Sequence, residues 1–283
     1  MSLVQSTSVA GYTRIEVEPV TPTLGACVRG VDLSRLDDAT WAELEHAFAV
    51  HGVLFFRDQD LQPGDLEAVG RRLGPLHVHP AAPTVEGHPH VMRIHADATS
   101  VTANGSWWHT DVSCDAEPPM ATVLYVHTLP SVGGDTVFAS QQAAYDALSP
   151  AFRTMVDGLT ARHESRHIYE GRYGTDEKLS RDGVFPSAVH PVVRTHPVTG
   201  RRGLYVNRSF TTKVVELSEV ESRAVLDALY WYAENERFQC RFRWEQGSVA
   251  MWDNRSLQHL AIWDYFPETR SGWRVSVVGE RPV

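Results

Sequence analysis

Cysteine is scarce in this chain, and long apolar runs are missing from it. The three cysteines, Cys27, Cys114 and Cys240, lie far apart and form no Cys-x-x-Cys pair, which excludes a disulfide framework and a zinc ribbon. We expect them to be buried thiols of a protein in the reducing cytoplasm. No stretch of 18 apolar residues occurs, so no membrane span is expected. The first residues lack the basic start and apolar core of a secretory signal.

Positive charge is also in short supply. Lysine and arginine number 26 against 35 aspartates and glutamates among 283 residues, so the net charge is −9. A negative surface gains nothing from nucleic acid or from an anionic membrane, and neither is expected as a partner. A few local arginines would still allow a small anionic substrate. Because no internal repeat or linker interrupts the chain, we predict a single domain over residues 1–283.

Apolar periodicity predicts helices separated by strand-like runs. Helical spacing covers residues 37–51 and 63–73, and further helices are predicted to begin at Ser149-Pro150 and at the capping box Ser218-Glu-Val-Glu221. The predicted strands cover residues 53–56, 122–127, 204–206, 240–244, 249–252 and 274–278. Strands dominate the second half without a regular βαβ alternation. The sequence therefore predicts a mainly β protein, an antiparallel sandwich or barrel with flanking helices.

Two histidines and one aspartate could hold a metal ion. If Trp107-Trp-His-Thr-Asp111 is a strand, the imidazole of His109 and the carboxylate of Asp111 point to one face. The Asp-Asn turn signal after the strand at 249–252 would lift His259 to the rim of a sheet. Two histidines and a carboxylate form the facial triad of non-haem Fe(II) oxygenases. Zinc accepts the same ligand types, so these residues leave the metal open.

Two arginines near the last predicted strand, Arg270 and Arg274, stand four residues apart. If the strand extends back to Arg270, both side chains share one face. Guanidinium groups on an inward face are costly unless each one meets an anion, and each suits bidentate binding of a carboxylate or sulfonate. The alternative is two solvated arginines on an edge strand.

Several ordered motifs together resemble the taurine dioxygenase (TauD/TfdA) family of Fe(II)- and 2-oxoglutarate-dependent dioxygenases. The resemblance runs from Gly25 to Pro282, and its motifs are Trp108-His-Thr-Asp-Val112, Gly133-Gly-Asp-Thr136, His190-Pro-Val-Val-Arg-Thr-His-Pro197, Trp252-Asp-Asn-Arg255, and His259 with Arg270 and Arg274. It implies a double-stranded β-helix, or jelly roll, with flanking helices. It also implies Fe(II) as the metal, with 2-oxoglutarate and O₂ as co-substrates.

The resemblance further implies a role for individual residues. His109, Asp111 and His259 match the iron ligands of the family. Arg270 and Thr136 match the residues that bind the distal carboxylate of 2-oxoglutarate. The positions that match substrate-binding residues are Arg274 for the anionic group, and His79, Val112 and Phe210 for the rest of the pocket.

Three pocket positions depart from the pattern of the taurine enzyme. Ala82 stands where that enzyme has a tyrosine, and Tyr169 aligns with a phenylalanine. Gly105 stands where it has an asparagine, with Asn104 one step away. A lost hydrogen-bonding partner changes substrate discrimination by orders of magnitude. Taurine itself is therefore not expected as the substrate, and the smaller side chains of Ala82 and Gly105 are expected to leave room for a larger body.

The resemblance implies hydroxylation of a C–H bond in a small anionic organic molecule, with succinate and CO₂ as products. The expected substrates are an organosulfonate of the taurine type, an alkyl sulfate ester or an aryloxy-carboxylate. Two alternatives are a zinc hydrolase with the same three ligands and a non-catalytic jelly roll that binds a metal or an anion. A homo-oligomer, either a dimer or a tetramer, is expected because symmetric assembly is common.

Overall fold

Two sheets packed face to face form the centre of the protein. The computed structural model describes residues 11–79, 82–101, 103, 105–170 and 185–283. The strands among them are, in chain order, β1 (Glu16–Pro19), β2 (Ala26–Arg29), β3 (Val53–Phe56), β4 (Leu76–His77), β5 (Thr84–Val85), β6 (His88–Ala96), β7 (Ala121–Thr128), β8 (Thr136–Ser140), β9 (Thr160–Glu164), β10 (Ser187–Pro191), β11 (Val193–Thr195), β12 (Arg202–Leu204), β13 (Thr211–Val214), β14 (Gln239–Phe242), β15 (Val249–Asp253), β16 (Leu257–Ala261) and β17 (Arg270–Val277). The α-helices among them are α1 (Asp38–His51), α2 (Pro63–Leu73), α3 (Gln141–Asp146), α4 (Pro150–Val156), α5 (Arg166–Tyr169) and α6 (Glu219–Ala233).

The larger sheet has the strand order β1-β2-β3-β15-β7-β17-β6-β5, with β4 beside β17, and the smaller one has the order β14-β8-β16. The apolar core between them brings Phe55 of the larger sheet against Phe138 and Phe242 of the smaller one. The rings of Phe55 and Phe242 stack with centroids 4.2 Å apart. Two facing, largely antiparallel sheets agree with the mainly β sandwich that the sequence predicts.

The helices α1 and α2 cover the outer face of the larger sheet. Trp41, Leu44 and Phe48 of α1 join the core on that side. The helix begins where the Asp37 side chain accepts a hydrogen bond from the Thr40 amide at 2.7 Å. It ends at Gly52, whose φ of +70° suits glycine. Because β3 is covered on both faces, all four of its residues are buried.

A second apolar layer lies beside the sandwich. It contains the three-stranded sheet β10-β9-β13, the hairpin of β11 and β12, and the helices α3 and α6. The predicted capping box of α6 is present, since Ser218 and Glu221 exchange hydrogen bonds at the helix start. This layer supplies the buried polar side chains behind the site.

The structure corrects several predictions of local structure. The strand predicted at 204–206 is Arg202–Leu204, and the one predicted at 240–244 is Gln239–Phe242. His259 lies within β16, the edge strand of the smaller sheet, because the turn after Asp253 leads directly into that strand. The last strand does extend back to Arg270, which was the condition for placing Arg270 and Arg274 on one face. Among the described residues, no helix combines the length and apolar character that a membrane crossing needs.

Candidate active site

His109, Asp111 and His259 meet at one end of the sandwich. One ligand atom from each lies within 4.8 Å of the other two. The Nε2 atoms of His109 and His259 stand 3.5 and 3.6 Å from Asp111 Oδ1. The exposed fractions of the three side chains are 12% for His109, 2% for Asp111 and 6% for His259. Three ligand atoms in this arrangement leave room for a metal ion between them.

The backbone brings the two histidines together across 150 residues of sequence. Their amides and carbonyls exchange two hydrogen bonds, from His109 N to His259 O at 3.0 Å and from His259 N to His109 O at 2.8 Å. This pair is an isolated bridge rather than part of a strand. The prediction of a strand through His109 and Asp111 is therefore wrong, because the chain turns at Asp111. The two side chains still converge.

Hydrogen bonds orient the three candidate ligands. His109 Nδ1 lies 2.8 Å from the carbonyl of Trp107, so it carries the proton and leaves the Nε2 lone pair directed at Asp111. The hydroxyl of Thr122 donates to Asp111 Oδ2 at 2.8 Å, which leaves Oδ1 on the histidine side. Such outer contacts are what a metal centre needs to fix its ligands.

The charges of the cluster also suit a cation. Burial by itself would raise the pKa of Asp111, but Arg274 and His259 hold that pKa well below its ordinary value. Burial also lowers the pKa of His259 well below the usual range of histidine. The group therefore offers one carboxylate and neutral imidazole nitrogen, the protonation states in which these side chains bind metals. The donor set fits a hard or borderline divalent ion.

A first cavity beside the cluster contains Arg270 and Thr136. Its wall includes His109, His259, Thr136, Arg270 and the apolar side chain of Leu124. The Thr136 hydroxyl accepts a hydrogen bond from Trp244 Nε1 at 3.0 Å, so its own proton can be donated to a ligand. The predicted pair of Arg270 and Thr136 thus lies on one cavity, together with two of the candidate metal ligands.

Arg270 is a buried cation without a hydrogen-bonding partner for two of its nitrogens. Its exposed fraction is 5%, and within the described part of the chain Nε and Nη2 have no partner. The guanidinium stands 5.3 Å from the ring centre of Trp244. Burial lowers the pKa of Arg270. Asp135 is a nearby charge, but its Oδ2 already accepts from Arg241 at 2.6 Å. A buried cation of this kind fits an incoming carboxylate.

A second cavity meets the first at His109 and Arg274. The side chains predicted for substrate contact, His79, Val112, Phe210 and Arg274, all line it. Other lining residues are Met92, Gly105, Ser106, Trp107, Ile168, Tyr169 and Ser209. Apart from Arg274 and Asp111, its described wall is neutral, since burial lowers the pKa of His79 to about 3. The cavity therefore has a cationic side chain, Arg274, at one end, and largely apolar side chains line the rest of it.

Arg274 is already engaged within the described structure. Its Nη2 lies 2.8 Å from Asp111 Oδ1 and donates to Ser276 Oγ at 3.3 Å. Its Nε has no partner among the described residues. The candidate anion-binding arginine therefore touches the candidate metal ligand, a contact that the sequence does not predict.

The backbone at position 105 favours glycine for a reason that the sequence alone does not show. Its φ is +80°, and a Cβ there would stand 3.1 Å from His109 Cε1. Glycine is favoured by this backbone and by this close approach as well as by the space it leaves. Ala82 contributes its amide, which donates to His79 Nδ1 at 3.0 Å. Asn104 lies outside the described residues.

Several residues of the site escape sequence reasoning. Thr122 on β7 and Trp244 after β14 carry no motif that marks them. Trp252 and Asn254 belong to a motif noted above, and Asn254 Nδ2 donates to Thr122 Oγ1 at 3.3 Å. The pairing of β7 with β15 brings Asn254 to Thr122, whose hydroxyl bonds to the carboxylate of Asp111.

Comparisons with known proteins agree with this geometry. A family model described as "Taurine catabolism dioxygenase TauD, TfdA family" matches residues 16–276. An alpha-ketoglutarate-dependent sulfate ester dioxygenase of Pseudomonas putida is 37% identical over 95% of this chain and 91% of its own length. An alpha-ketoglutarate-dependent sulfonate dioxygenase of Saccharomyces cerevisiae is 36% identical over 95% of this chain and 68% of its own.

Solved structures give the same answer for the fold. The crystal structure of a taurine dioxygenase from Burkholderia xenovorans superposes with a TM-score of 0.82 at 36% identity. The match covers 96% of this chain and 93% of that one. The predicted jelly roll with flanking helices is confirmed.

Proposed function

The chain belongs to the TauD/TfdA family of 2-oxoglutarate-dependent dioxygenases, and we propose that His109, Asp111 and His259 bind Fe(II) at its active centre. The observation that carries this proposal is the convergence of three buried ligand atoms beside a buried, unpartnered Arg270. Two imidazole nitrogens and one carboxylate oxygen leave open positions on the metal for further ligands. Fe(II) bound there would supply the O₂ chemistry that couples decarboxylation of 2-oxoglutarate to hydroxylation of a C–H bond.

Arg270 and Thr136 are proposed to bind the distal carboxylate of 2-oxoglutarate. Arg270 presents Nε and Nη2 without partners, and Thr136 keeps a hydroxyl proton to donate. A carboxylate accepts two parallel bonds from one guanidinium, which sets both position and direction. The wall of the cavity around the two residues includes the apolar side chains of Leu124 and Ile94. The cavity thus holds the co-substrate with its other end toward the cluster of ligands.

Arg274 is proposed to bind the anionic group of the second substrate. Its free Nε and its place between the two cavities support this role. The body of the substrate would contact the apolar cluster of Val112, Phe210 and Tyr169. Holding a substrate carbon at a fixed distance from the metal centre is the protein's main contribution to such reactions.

The substrate is proposed to be an alkyl or aryl sulfonate or a sulfate ester rather than taurine. Among the described residues that line the second cavity, Asp111 is the sole carboxylate, and it is engaged by Arg274 and by the candidate metal site. An ammonium group would therefore lack an acidic partner, and a buried unpaired charge is costly. An apolar tail would instead meet Val112 and Phe210. An aryloxy-carboxylate offers the same combination of anion and apolar body.

The two alternatives explain less of the structure. A zinc hydrolase with the same three ligands gives no reason for a buried, unpartnered Arg270 at the neighbouring cavity. A non-catalytic jelly roll gives no reason for two cavities that meet at His109. Family membership also favours the dioxygenase.

An anaerobic titration tests the proposal directly. Fe(II) and then 2-oxoglutarate are added to the protein, and the weak visible charge-transfer band of the chelate is recorded. Hexyl sulfate, hexanesulfonate, 2-phenoxypropionate and taurine are then added separately. We expect the band to form, and to shift with at least one of the first three anions but not with taurine.

The matched variants are Arg270→Ala and Arg274→Ala. The first should require far more 2-oxoglutarate for the band, and the second should form the band normally without the shift. Absence of the band from wild-type protein with iron demonstrably bound would contradict the 2-oxoglutarate site. A shift with taurine alone would contradict the substrate class.

Three properties of the whole protein stay predictions: a single domain over residues 1–283, a cytoplasmic location, and assembly as a homodimer or homotetramer. Trp231 on α6 is 64% exposed and Val220 is 81% exposed, which would suit a subunit contact. Light scattering of the purified protein measures the assembly state.

A further inference from the structure

The motif from His190 to Pro197 has no place in the site, yet three of its polar side chains are buried. His190, Arg194 and His196 are each 2% exposed. Arg194 pairs with Glu280 near the end of the chain, and His196 Nε2 lies 3.0 Å from Asp253 Oδ2. His190 contacts the turn that follows Asp111. A buried polar group normally has a specific hydrogen-bonding partner, so the partners of these three side chains indicate their roles.

His190 bonds to two carbonyl oxygens of that turn. Its Nε2 lies 3.1 Å from Ser113 O and 2.9 Å from Asp115 O. Both atoms are acceptors, so Nε2 carries the proton and donates to them. Burial lowers the pKa of His190, which favours the neutral ring. The ring also packs edge-on against His163 and Tyr205.

The turn that His190 holds is strained. Val112, directly after the candidate ligand Asp111, has a φ of +44°. A β-branched residue is unfavourable in this region and persists only where its surroundings impose it. The turn's own bond from Asp115 N to Val112 O, at 2.9 Å, is a single constraint. Further hydrogen bonds that hold the backbone of this turn come from the second apolar layer.

The neighbouring layer also engages the side chain of Ser113. Its Oγ lies 3.0 Å from His163 Nδ1 and accepts a bond from Asn207 Nδ2 at 3.0 Å. Three side chains from separate segments thus converge on residues 113–115, and two of these bonds fix backbone carbonyls. Only His190 holds the backbone directly among these three side chains.

We propose that His190 is a positioning residue, which holds the strained turn at Val112 and thereby directs the Asp111 carboxylate toward His109 and His259. Among the described residues, His190 hydrogen-bonds to the backbone of the turn and not to a ligand atom or to a lining residue of the two cavities. This inference rests on the proposed function, since it assigns Asp111 to the metal centre.

The test measures metal affinity in the folded, metal-free protein. Co(II) is titrated anaerobically and followed by its visible absorption, and thermal unfolding of the metal-free protein is recorded separately. His190→Leu should weaken Co(II) binding roughly tenfold or more, the usual cost of removing an outer contact of a metal site. His190→Gln places an amide N–H near the position of Nε2, and it should restore most of the affinity. His190→Asn reaches only the position of Nδ1, and it should resemble His190→Leu.

Tyr145→Phe is the control for a purely structural effect. Its hydroxyl donates to Asp157 Oδ1 at 2.9 Å, and the ring belongs to the second apolar layer, which contains none of the three ligands. That variant should lower the unfolding temperature and leave Co(II) affinity unchanged. A folded His190→Leu or His190→Asn protein with wild-type Co(II) affinity overturns the inference, as does equal affinity of the Gln and Asn variants. If wild-type protein itself fails to bind Co(II), the proposed function fails instead.

A double-mutant cycle with Val112→Gly tests the part played by strain. Glycine adopts a positive φ at no steric cost, so the turn should need His190 less. The loss of Co(II) affinity from His190→Asn should then be clearly smaller in the Val112→Gly background than in wild type. Equal losses in both backgrounds would overturn the account of a strained turn held by His190.

Discussion

Two arginines four residues apart on β17 face the site in different states. Arg270 is 5% exposed, and its Nε and Nη2 have no partner in the described part of the chain. Arg274 has a 13% exposed side chain and lies 2.8 Å from Asp111 Oδ1. Two residues of the same type on the same face of one strand thus differ, since among the described residues Arg274 has a carboxylate partner and two nitrogens of Arg270 have no hydrogen-bonding partner.

The difference lies in what each position recognises. Arg270 is buried and has no hydrogen-bonding partner for two of its nitrogens among the described residues, so its position favours an anionic co-substrate. The anion that pairs with Arg274 is the carboxylate of Asp111, which is also a candidate metal ligand. The availability of Arg274 to a substrate therefore depends on the contacts that Asp111 makes. We infer that binding of substrate at Arg274 is coupled to the metal centre more closely than binding of 2-oxoglutarate at Arg270.

Asp111→Ala removes the carboxylate that pairs with Arg274 but not with Arg270. Of the substitutions considered, it should have the largest effect on metal binding and turnover. The variant should fold but lose both metal binding and turnover, because the cluster loses its charged ligand. Metal content after loading and dialysis measures the first, and succinate formation measures the second. Unchanged metal content would contradict the triad.

Arg270→Ala should affect the co-substrate alone. Truncating one partner of a buried charge pair costs about 2–5 kcal/mol, or roughly 30-fold to more than 1000-fold in affinity for 2-oxoglutarate. The dissociation constant follows from titration of the metal-loaded protein. Intact Co(II) affinity is the control, and a 2-oxoglutarate affinity close to that of wild type would remove Arg270 from the co-substrate site.

Arg274→Ala should raise the KM for the substrate by a smaller factor than Arg270→Ala weakens 2-oxoglutarate binding. The reason is that Arg274 binds the anionic group of the substrate at a less buried position. Affinity for 2-oxoglutarate should stay nearly intact. Steady-state kinetics with a responsive alkyl sulfate or sulfonate provide the measurement. Collapse of 2-oxoglutarate binding in this variant would mean that the roles of the two arginines are exchanged.

Replacing each arginine by leucine should change metal-free stability in opposite directions. Arg270→Leu removes an unpartnered buried cation and should leave stability equal or higher by about 1–2 kcal/mol. Arg274→Leu leaves the buried carboxylate of Asp111 without its cation and should lower stability by about 1–3 kcal/mol. Denaturant unfolding of the two metal-free variants compares them. A loss of the same size in both would erase the contrast between the positions.

Gly105→Ala should have the smallest effect and act on both cavities together. Gly105 lines both of them, and an added Cβ would press on His109 Cε1 from 3.1 Å at a φ of +80°. The cost should be about 1 kcal/mol of stability or more, with weaker metal binding and little change in the balance between the two arginines. A selective change at one arginine would show that the cavities are more independent than their shared wall suggests.

Much of the site was predictable from the sequence, because the relevant signals are local. The spacing of Arg270 and Arg274 predicts one face, since side chains alternate along a strand. The helices α1 and α2 follow from apolar periodicity and terminal residues, and their observed bounds lie within a residue of the predicted ones. The motifs identified the family from residues that stand close together in sequence.

Other features could not be predicted, because they depend on contacts between distant segments. The bridge between His109 and His259 joins residues 150 positions apart, and the left-handed turn at Val112 contradicts the preference of valine. Asp111 and Arg274, the arginine that it pairs with, are likewise far apart in sequence, at 163 positions.

By itself the sequence determined which side chains could hold a metal and two anions, and which elements carry them. Tertiary structure alone decided that, among the described residues, Arg270 Nε and Nη2 have no hydrogen-bonding partner while Arg274 meets Asp111, and that His190 lies behind the turn. The physical reason is that periodicity reports the face of a local element, whereas pairing and burial depend on how the sheets face each other.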